Sequence, residues 1–195
     1  MGQTDKKKIA VYASGTGSNT KKIIEYFSEH PAVEVALIVC NKPGAGVLQI
    51  AADHDIPYLI IEKEKFFRGS GYVDELKDAG IVFLVLAGFL WKIPDTIISA
   101  YPRRILNIHP ALLPKYGGKG MYGHHVHESV IAAGDTISGI TIHYVDEHYD
   151  HGDIICQKQV DITTSDTAES LATKIHALEH TYYPVIIENI LKTIN

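Results

Sequence analysis

The sequence predicts a doubly wound α/β fold, in which helices cover both faces of a mostly parallel sheet. Short apolar runs rich in β-branched residues alternate with amphipathic stretches through the first half of the chain. Such continuous runs, separated by helices, are typical of parallel strands that are buried on both faces. Two later strand-like runs follow each other with only a short gap, which predicts an antiparallel or edge pair. A glycine-rich loop follows the first strand.

The first half supplies four predicted strands and the helices between them. Their order in the chain is a strand in "KIAVYAS" (8–14), a helix from Thr20 to about Phe27, a strand in "VEVALIVCN" (33–41), a helix near 46–54, a strand in "PYLII" (57–61), a short helix near 72–79 and a strand in "IVFLVLAGF" (81–89). Strands that alternate with helices in this way indicate a parallel sheet covered on both faces.

The second half begins with the strand "RILNIH" and then changes rhythm. A glycine-rich loop leads to a brief helix, "HESVIAAG", which we expect Gly134 to end. The strands "ISGITIHYV" and "GDIICQKQVDI" form the predicted antiparallel pair. The last helix opens with Asp166 and Glu169 in capping-box spacing, and we expect Pro184 to kink or end it. Its apolar repeat is formed by Ala168, Leu171, Ile175, Leu178 and Tyr182.

Length and composition indicate one globular domain. The chain has 195 residues, of which 46% are hydrophobic and 21% charged, and this length can bury a continuous core. Residues 8–105 form a predicted phosphate-binding half and residues 106–195 a catalytic half. The net charge of -5 offers no broad basic surface, so we expect no nucleic-acid partner. We expect a monomer or a homodimer.

The chain carries the features of a cytoplasmic protein. Cys40 and Cys156 both lie in apolar strand-like runs, where an inert buried thiol is favoured over a disulfide. The N-terminal "MGQTDKKK" lacks the apolar core of a signal peptide, and Lys6 stands where a myristoylation signal needs Ser or Thr. The longest apolar run has thirteen residues, too few to span a bilayer. We therefore expect no membrane segment.

The loop "ASGTGSNTKKI" has the composition of a phosphate-binding loop. It sets Gly15, Gly17, Ser18 and Asn19 between a strand and a helix. Small residues let backbone N–H groups approach an anion, and the positive end of the helix dipole favours negative charge there. Thr20 stands where a dinucleotide fingerprint needs glycine, so a single phosphate is the better prediction. The alternative is a tight turn in which Ser18 or Asn19 is the N-cap.

Two polar residues, Asn107 and His109, share one face of the strand in "RILNIHP" because residues two apart project to the same side. They lie where the strand ends, and ligands of open α/β sheets bind beyond the carboxyl ends of strands. Pro110 confines His109 to extended conformations. An imidazole and an amide at this position suit general acid catalysis and the stabilisation of an oxyanion. The alternative is a hydrogen-bonded structural histidine.

A carboxylate beside His109 would raise the pKa of the imidazole. The turn between the two late strands, "HYVDEHYDHGDII", offers the candidates, and spacing alone does not choose among them. They are Asp146, Glu147, Asp150 and Asp153.

With these motifs in place, nearly the whole chain resembles the folate-dependent formyltransferases. The motifs that carry the resemblance are "SGTGSN", "LAGFLWKIP", "LNIHPALLPKY", "GITIHYVDEHYDHGDII" and "EHTYYPVII". The branch that it resembles most formylates glycinamide ribonucleotide with 10-formyltetrahydrofolate as co-substrate and uses no metal. The resemblance therefore implies small-molecule substrates and an enzyme of purine biosynthesis.

The resemblance also implies a role for each site residue. Asn107, His109 and Asp150 would be catalytic, with Asn107 also contacting folate. The phosphate of the ribonucleotide would lie on Gly17, Ser18 and Asn19, and folate would contact Arg68, Leu90, Trp91, Lys92 and Ile93. The loop "YGGKGMYGHHVH" is about five residues longer than its family counterpart.

The implied reaction is direct transfer of the formyl group. The amine of the ribonucleotide attacks the formyl carbon, and Asn107 and protonated His109 meet the oxyanion. His109 then supports proton transfer to the leaving folate nitrogen, while Asp150 raises the pKa of His109. No covalent enzyme intermediate and no metal are needed.

Four alternatives remain at this stage. Family members that act on methionyl-tRNA or hydrolyse formyltetrahydrofolate carry an additional domain, and the length and acidity of this chain disfavour both. A sensor that binds a nucleotide without chemistry would not need Asn107, His109 and Asp150. A metal site would draw on a set of six histidines: His124, His125, His127, His143, His148 and His151. That set lacks the fixed ligand spacing of known zinc motifs, and His125 or His127 could instead contact substrate.

Overall fold

The computed structural model describes residues 6–194, so part of the N-terminal segment in which we expect no signal peptide lies outside the described residues. The strands are β1 (Lys7–Ala13), β2 (Val33–Cys40), β3 (Tyr58–Ile60), β4 (Ile81–Leu86), β5 (Ile105–His109), β6 (Ile137–Tyr144) and β7 (Ile154–Asp161). The helices are α1 (Ser18–Phe27), α2 (Gly46–Asp53), α3 (Lys63–Arg68), α4 (Val73–Asp78), α5 (Asp95–Ala100), α6 (His124–Ala132) and α7 (Ala168–Thr193).

The strands form one seven-stranded sheet in the order β3-β2-β1-β4-β5-β6-β7. Strands β1 to β5 pair in parallel, whereas β6 and β7 are antiparallel to their neighbours. This confirms both the doubly wound fold and the late antiparallel pair. The chain leaves β1 toward one edge of the sheet and returns at β4 toward the other, so the crevice at the carboxyl ends of β1 and β4 is the expected ligand site of such a sheet.

Apolar clusters pack on the two faces of the sheet. Successive residues of a strand point to opposite faces of the sheet and so belong to different clusters. In β1, Ile9 and Val11 belong to one cluster, and Ala10 and Tyr12 belong to the other. All four residues are buried. A strand that is buried on both faces must be apolar at every position, which is why β1 reads as a continuous run in the sequence.

Helix α7 corrects two predictions. Thr167 is its N-cap and forms the capping box with Ser170, so the box lies one residue later than predicted from Asp166 and Glu169. Asp166 instead accepts a hydrogen bond from the Ser170 hydroxyl at 2.7 Å. Pro184 does not end the helix, which continues to Thr193. Buried apolar residues on both sides of the proline pack against the sheet and offset the lost hydrogen bond.

Other predictions differ from the structure in detail. The short helices α3 and α5 were not predicted, and six residues are too few to show a helical period. The predicted helix "HESVIAAG" begins three residues earlier, at His124. Both cysteines are free. Cys40 is buried as predicted, whereas Cys156 is half-buried although the sequence predicted a buried thiol.

Among residues 6–194, no helix is long and apolar enough to cross a membrane.

Candidate active site

A cavity of about 740 Å³ opens at the carboxyl ends of β1, β4 and β5. It brings together all but one of the residues that we predicted for the site. Those that line it are Gly17, Ser18, Asn19, Leu90, Trp91, Lys92, Ile93, Asn107, His109 and Asp150. The sheet order explains this convergence, because β1, β4 and β5 are neighbours and their carboxyl ends share one edge.

The glycine loop at one end of the cavity presents the N-terminus of α1. The helix begins at Ser18, and its N-cap is Gly17 with φ of 82° and no side-chain cap. The alternative in which Ser18 or Asn19 is the N-cap is therefore wrong. A Cβ on Gly17 would lie 2.9 Å from side-chain atoms of Val47 and Ile50, so position 17 needs glycine for space as well as for backbone conformation. The first N–H groups of α1 have no acceptor within the helix and are free to bind an anion.

Glu179 of α7 lies beside this loop, and it was not predicted as a site residue. Its side chain accepts a hydrogen bond from Asn19 Nδ2 at 2.8 Å and lines the cavity. Burial raises the pKa of Glu179 to about 7, and the bond from Asn19 offsets only part of this effect. Asn19 Oδ1 is buried without a hydrogen-bond partner among the described residues. The sequence did contain a signal for Glu179, because this glutamate lies four residues after Ile175, within the otherwise apolar repeat of the helix.

The histidines of the long loop separate into two groups. His124 and His127 line the cavity, whereas His125 is exposed and pairs with Glu128. His127 is buried, and its Nδ1 has no partner among the described residues. Burial lowers the pKa of His127 to about 4, so this imidazole is neutral at physiological pH. Of the two predicted substrate contacts, His125 and His127, the structure brings only His127 to the cavity.

The end of β5 holds Asn107 and His109 in the middle of the cavity, as the strand period predicted. His143 of β6 is the register partner of Asn107 and lies behind it, with Asn107 Nδ2 3.1 Å from His143 Nε2. His143 Nδ1 donates to the carbonyl of Tyr144 at 2.8 Å, so Nε2 is the acceptor for the amide. His143 therefore orients Asn107, a role that the sequence did not indicate.

The carboxylate beside His109 is Asp150. Its Oδ1 lies 3.6 Å from His109 Nδ1 and 3.7 Å from His143 Nε2. Asp150 has φ of 54° and lies two residues before Gly152, where a Cβ would collide with the carbonyl oxygen of Tyr144. The turn therefore packs tightly against the end of β6, which fixes the carboxylate in the cavity.

The other three candidate carboxylates have different partners. Asp146 pairs with His151, and Asp153 pairs with Arg103. Glu147 does not line the cavity.

The pKa of His109 and the pKa of Asp150 are both lowered, and in each case burial and the charge of the other group act in opposite directions. Burial is the largest effect on His109 and lowers its pKa below the ordinary value, although Asp150 and the carbonyl of Tyr116 act in the opposite direction. Burial alone would raise the pKa of Asp150, but His143, His109 and the N–H of Gly118 outweigh it, and the net shift is downward. Asp150 therefore acts on His109 as predicted, yet in the substrate-free site burial has the larger effect.

The opposite end of the cavity is formed by the segment Leu90–Ile93. The N–H of Leu90 donates to Ser14 Oγ at 2.9 Å, which ties this segment to the loop after β1. The Trp91 ring contacts Phe66 and Phe67, with ring centroids 5.6 and 5.4 Å away. Leu90 is 47% exposed and therefore presents apolar surface at the cavity rim, whereas Ile93 is buried.

Arg68 is the one predicted site residue that does not line the cavity. It lies in the last turn of α3, whose inward residue is Phe66. Its guanidinium extends along the exposed face of the helix to Glu64, at 3.3 Å. The side chain is 79% exposed. The helical period therefore directs Arg68 away from the cavity, and its assignment to folate binding stays a prediction.

The six histidines considered for a metal site do not converge on one point. Within residues 6–194, His148 and His151 join Asp146 in a group whose ligand atoms all lie within 4.8 Å of one another. His151 Nδ1 and Asp146 Oδ2 are 2.9 Å apart, so a hydrogen bond already accounts for their proximity. His148 and His151 are exposed.

Comparisons with known proteins agree with this architecture. The Formyl transferase family model matches residues 7–187. The chain is 43% identical over 188 residues to the chloroplastic phosphoribosylglycinamide formyltransferase of Arabidopsis thaliana, covering 93% of this chain and 64% of that protein. It is 38% identical to the phosphoribosylglycinamide formyltransferase of Bacillus subtilis, covering 95% of each. The chain thus spans less than two thirds of the chloroplastic relative.

A solved structure of a protein with the same name has a similar fold. The phosphoribosylglycinamide formyltransferase of Bacillus halodurans superposes with a TM-score of 0.86 at 39% identity, covering 96% of both chains. The family model spans nearly all of the described sheet and helices, so the fold and the sequence motifs indicate the same family. The chain belongs to the formyl transferase family.

Proposed function

We propose that the protein is a phosphoribosylglycinamide formyltransferase. It would transfer the formyl group of 10-formyltetrahydrofolate to the amine of N1-(5-phosphoribosyl)glycinamide, a step of purine biosynthesis. The observation that carries the proposal is one cavity that joins an anion-binding loop, an apolar segment and the group Asn107, His109 and Asp150. The Bacillus subtilis relative of nearly equal length bears the name of the same activity.

The ribonucleotide would bind at the glycine-loop end. Its phosphate would accept hydrogen bonds from the N–H groups of Gly17, Ser18 and Asn19, where the dipole of α1 favours an anion. The buried Glu179 carboxyl and the unpartnered Asn19 Oδ1 supply acceptors for ribose hydroxyls. A ligand hydroxyl would also relieve the cost of leaving Asn19 Oδ1 unpaired.

The folate would bind at the Leu90–Ile93 end. Backbone groups of Leu90, Trp91, Lys92 and Ile93 offer hydrogen bonds to a flat heterocycle, and neighbouring aromatic side chains offer stacking surface. Asn107 lies between the two ends, where it can contact the folate as well as the formyl oxygen. This arrangement sets the formyl carbon between the donor and the acceptor.

The chemistry begins with the neutral amine attacking the formyl carbon. The new C–N bond gives a tetrahedral intermediate with an oxyanion and a positively charged nitrogen. The amide of Asn107 donates a hydrogen bond to the oxyanion. In the substrate-free site that amide is directed at His143 and Asp150, so it exchanges one of these partners for the substrate.

The lowered pKa of His109 refines its role. Because burial favours the neutral imidazole, His109 first accepts a proton and then donates it. The charged nitrogen of the intermediate supplies this proton, and Asp150 stabilises the imidazolium that forms. The imidazolium then protonates the leaving folate nitrogen as its bond to the formyl carbon breaks. Each step uses groups of the protein or of the two substrates.

A formyl-transfer assay with both substrates tests the proposal. We expect tetrahydrofolate to appear only when the ribonucleotide is present, in equal amount to the formylated product. Release of formate without the ribonucleotide would indicate hydrolysis and would contradict the proposal. Asp146→Asn is a suitable control variant, because Asp146 borders the cavity but pairs with His151 and not with His109.

A further inference from the structure

The segment Lys115–Gly118 contacts both His109 and Asp150. The carbonyl oxygen of Tyr116 lies 2.7 Å from His109 Nε2, and the N–H of Gly118 donates to Asp150 Oδ2 at 2.9 Å. A carbonyl oxygen can only accept a hydrogen bond, so His109 Nε2 must carry a hydrogen. This leaves Nδ1, which faces Asp150, as the atom that gains and loses the catalytic proton.

The backbone of Tyr116 is unusual, and its side chain explains how it is held. Tyr116 has φ of 58°, a left-handed conformation that a non-glycine residue adopts at a cost. Its hydroxyl donates to Asp135 Oδ2 at 2.8 Å. Lys115 Nζ donates to both oxygens of Asp135, at 2.7 and 2.6 Å, and lies 5.1 Å from the centre of the Tyr116 ring. Asp135 therefore anchors both Lys115 and Tyr116.

Asp135 itself does not line the substrate cavity. It lies between α6 and β6 and, with Lys115 and Tyr116, lines a separate cavity of about 230 Å³. Among the described residues, the side-chain hydrogen bonds of Asp135 go to Lys115 and Tyr116, so the segment Lys115–Gly118 is its direct connection to the site.

We propose that Asp135 is a positioning residue, which holds Tyr116 so that the Tyr116 carbonyl keeps His109 in the Nε2–H tautomer and leaves Nδ1, beside Asp150, to exchange the catalytic proton. The kinetic part of this inference rests on the proposed function. The tautomer of His109 is a property of the substrate-free protein and can be measured without any activity.

The charged and titratable groups around His109 set the direction of the pH effect. Asp150 faces it from the turn between β6 and β7, His143 from β6 and His127 from α6. The Tyr116 carbonyl and Asp150 favour the protonated imidazole, whereas burial and the neighbouring histidines oppose it. Losing the Tyr116 contact would therefore lower the pKa of His109 further.

The test compares Asp135→Ala, Asp135→Asn, Tyr116→Phe and the double variant Asp135→Ala/Tyr116→Phe. Nitrogen-15 NMR of histidine reports the tautomer of His109. We expect only the Nε2–H form in the parent protein and a mixture in Asp135→Ala. The kcat for formyl transfer should fall about fivefold with KM nearly unchanged, as for the loss of one orienting hydrogen bond.

The variants are chosen so that a purely structural role gives a different result. The double variant should be no worse than either single one, because both break the same connection. Asp135→Asn should keep most of the activity, since its amide oxygen still accepts from the Tyr116 hydroxyl. Asp135→Asn and Tyr116→Phe also carry the test if Asp135→Ala does not fold.

Asp166→Ala is the matched control. Asp166 likewise pairs with a lysine, Lys174, at 2.6 Å and accepts from a hydroxyl, that of Ser170, but it does not line the substrate cavity. This variant should lower the melting temperature and leave the tautomer unchanged. An unchanged tautomer and kcat in Asp135→Ala, or additive effects in the double variant, would overturn the inference. If the parent protein transfers no formyl group, the proposed function fails while the tautomer still decides the inference.

Discussion

At the scale of single residues, the site depends on polar groups that are buried and only partly paired. His109, His127 and Glu179 are each at most 5% exposed, and all three line the cavity. Burial penalises the charged form of each group, so the protonation states of the empty site are set by desolvation as much as by partners.

Glu179 offers a direct test of this desolvation. Its pKa is raised from 4.5 to about 7, so the folded protein binds more protons than the unfolded chain between these pH values. Glu179 therefore lowers the stability as pH rises through that window, by roughly 3 kcal/mol in full. We expect Glu179→Gln to be more stable than the parent at pH 8 and to lose this advantage at pH 4. Denaturant unfolding at several pH values measures the difference, and a difference independent of pH would contradict the assignment.

Asp150 and His109 offer a second residue-scale test. We expect the pKa of His109, followed by NMR titration, to lie below 6.5 in the free protein and to fall further in Asp150→Asn. The sign follows from electrostatics, because removing a carboxylate 3.6 Å away disfavours the imidazolium. Asp153→Asn is the control, since Asp153 pairs with exposed Arg103. A rise of the pKa in Asp150→Asn would refute this view of the pair.

At the scale of elements, α7 connects the glycine-loop end of the site with strands β4 and β5. It contributes Glu179 to the cavity, and the single hydroxyl hydrogen of Tyr183 is shared between the carbonyls of Leu86 and Leu106, whose oxygens lie 2.9 and 3.1 Å from the hydroxyl oxygen. These carbonyls belong to β4 and β5, whose carboxyl ends border the cavity. The helix thereby holds two central strands in place behind the catalytic residues.

Tyr183→Phe removes this connection without changing the apolar ring. Two buried carbonyl oxygens each lose a partner, and we expect the free energy of unfolding to fall by about 2 kcal/mol. Tyr182→Phe is the neighbouring control, because Tyr182 is only partly buried. Urea unfolding of both variants measures the effect, and equal stability of the two would contradict the role given to the Tyr183 hydroxyl.

The sequence predicted those elements whose pattern is long and strong. Strands β1, β2, β4 and the pair β6 and β7 follow from continuous apolar runs, and Asn107 and His109 follow from the period of β5. Short elements such as α3 carry too few residues to show a period, so the sequence did not indicate that Arg68 lies outside the cavity. Pro184 does not end α7, because packing on both sides outweighs a local helix breaker, and the kink that we also predicted there stays a prediction.

At the scale of the whole molecule, the sheet order decides what meets in the cavity. The glycine loop and Asn107 are about ninety residues apart in sequence, yet β1, β4 and β5 are adjacent in the sheet. The choice of Asp150 and the roles of His143 and Glu179 depend on this register, which no local pattern encodes. The division into halves at residues 8–105 and 106–195 stays a prediction.

The most direct test of the central claim is the single-turnover rate of formyl transfer in His109→Ala. We expect a fall of at least about a hundredfold, the loss typical of a general acid–base group, while the affinity for the ribonucleotide is retained because its phosphate binds at the glycine loop. Thermal unfolding confirms that the variant is folded. A folded His109→Ala protein that transfers the formyl group at nearly the parental rate would contradict the account.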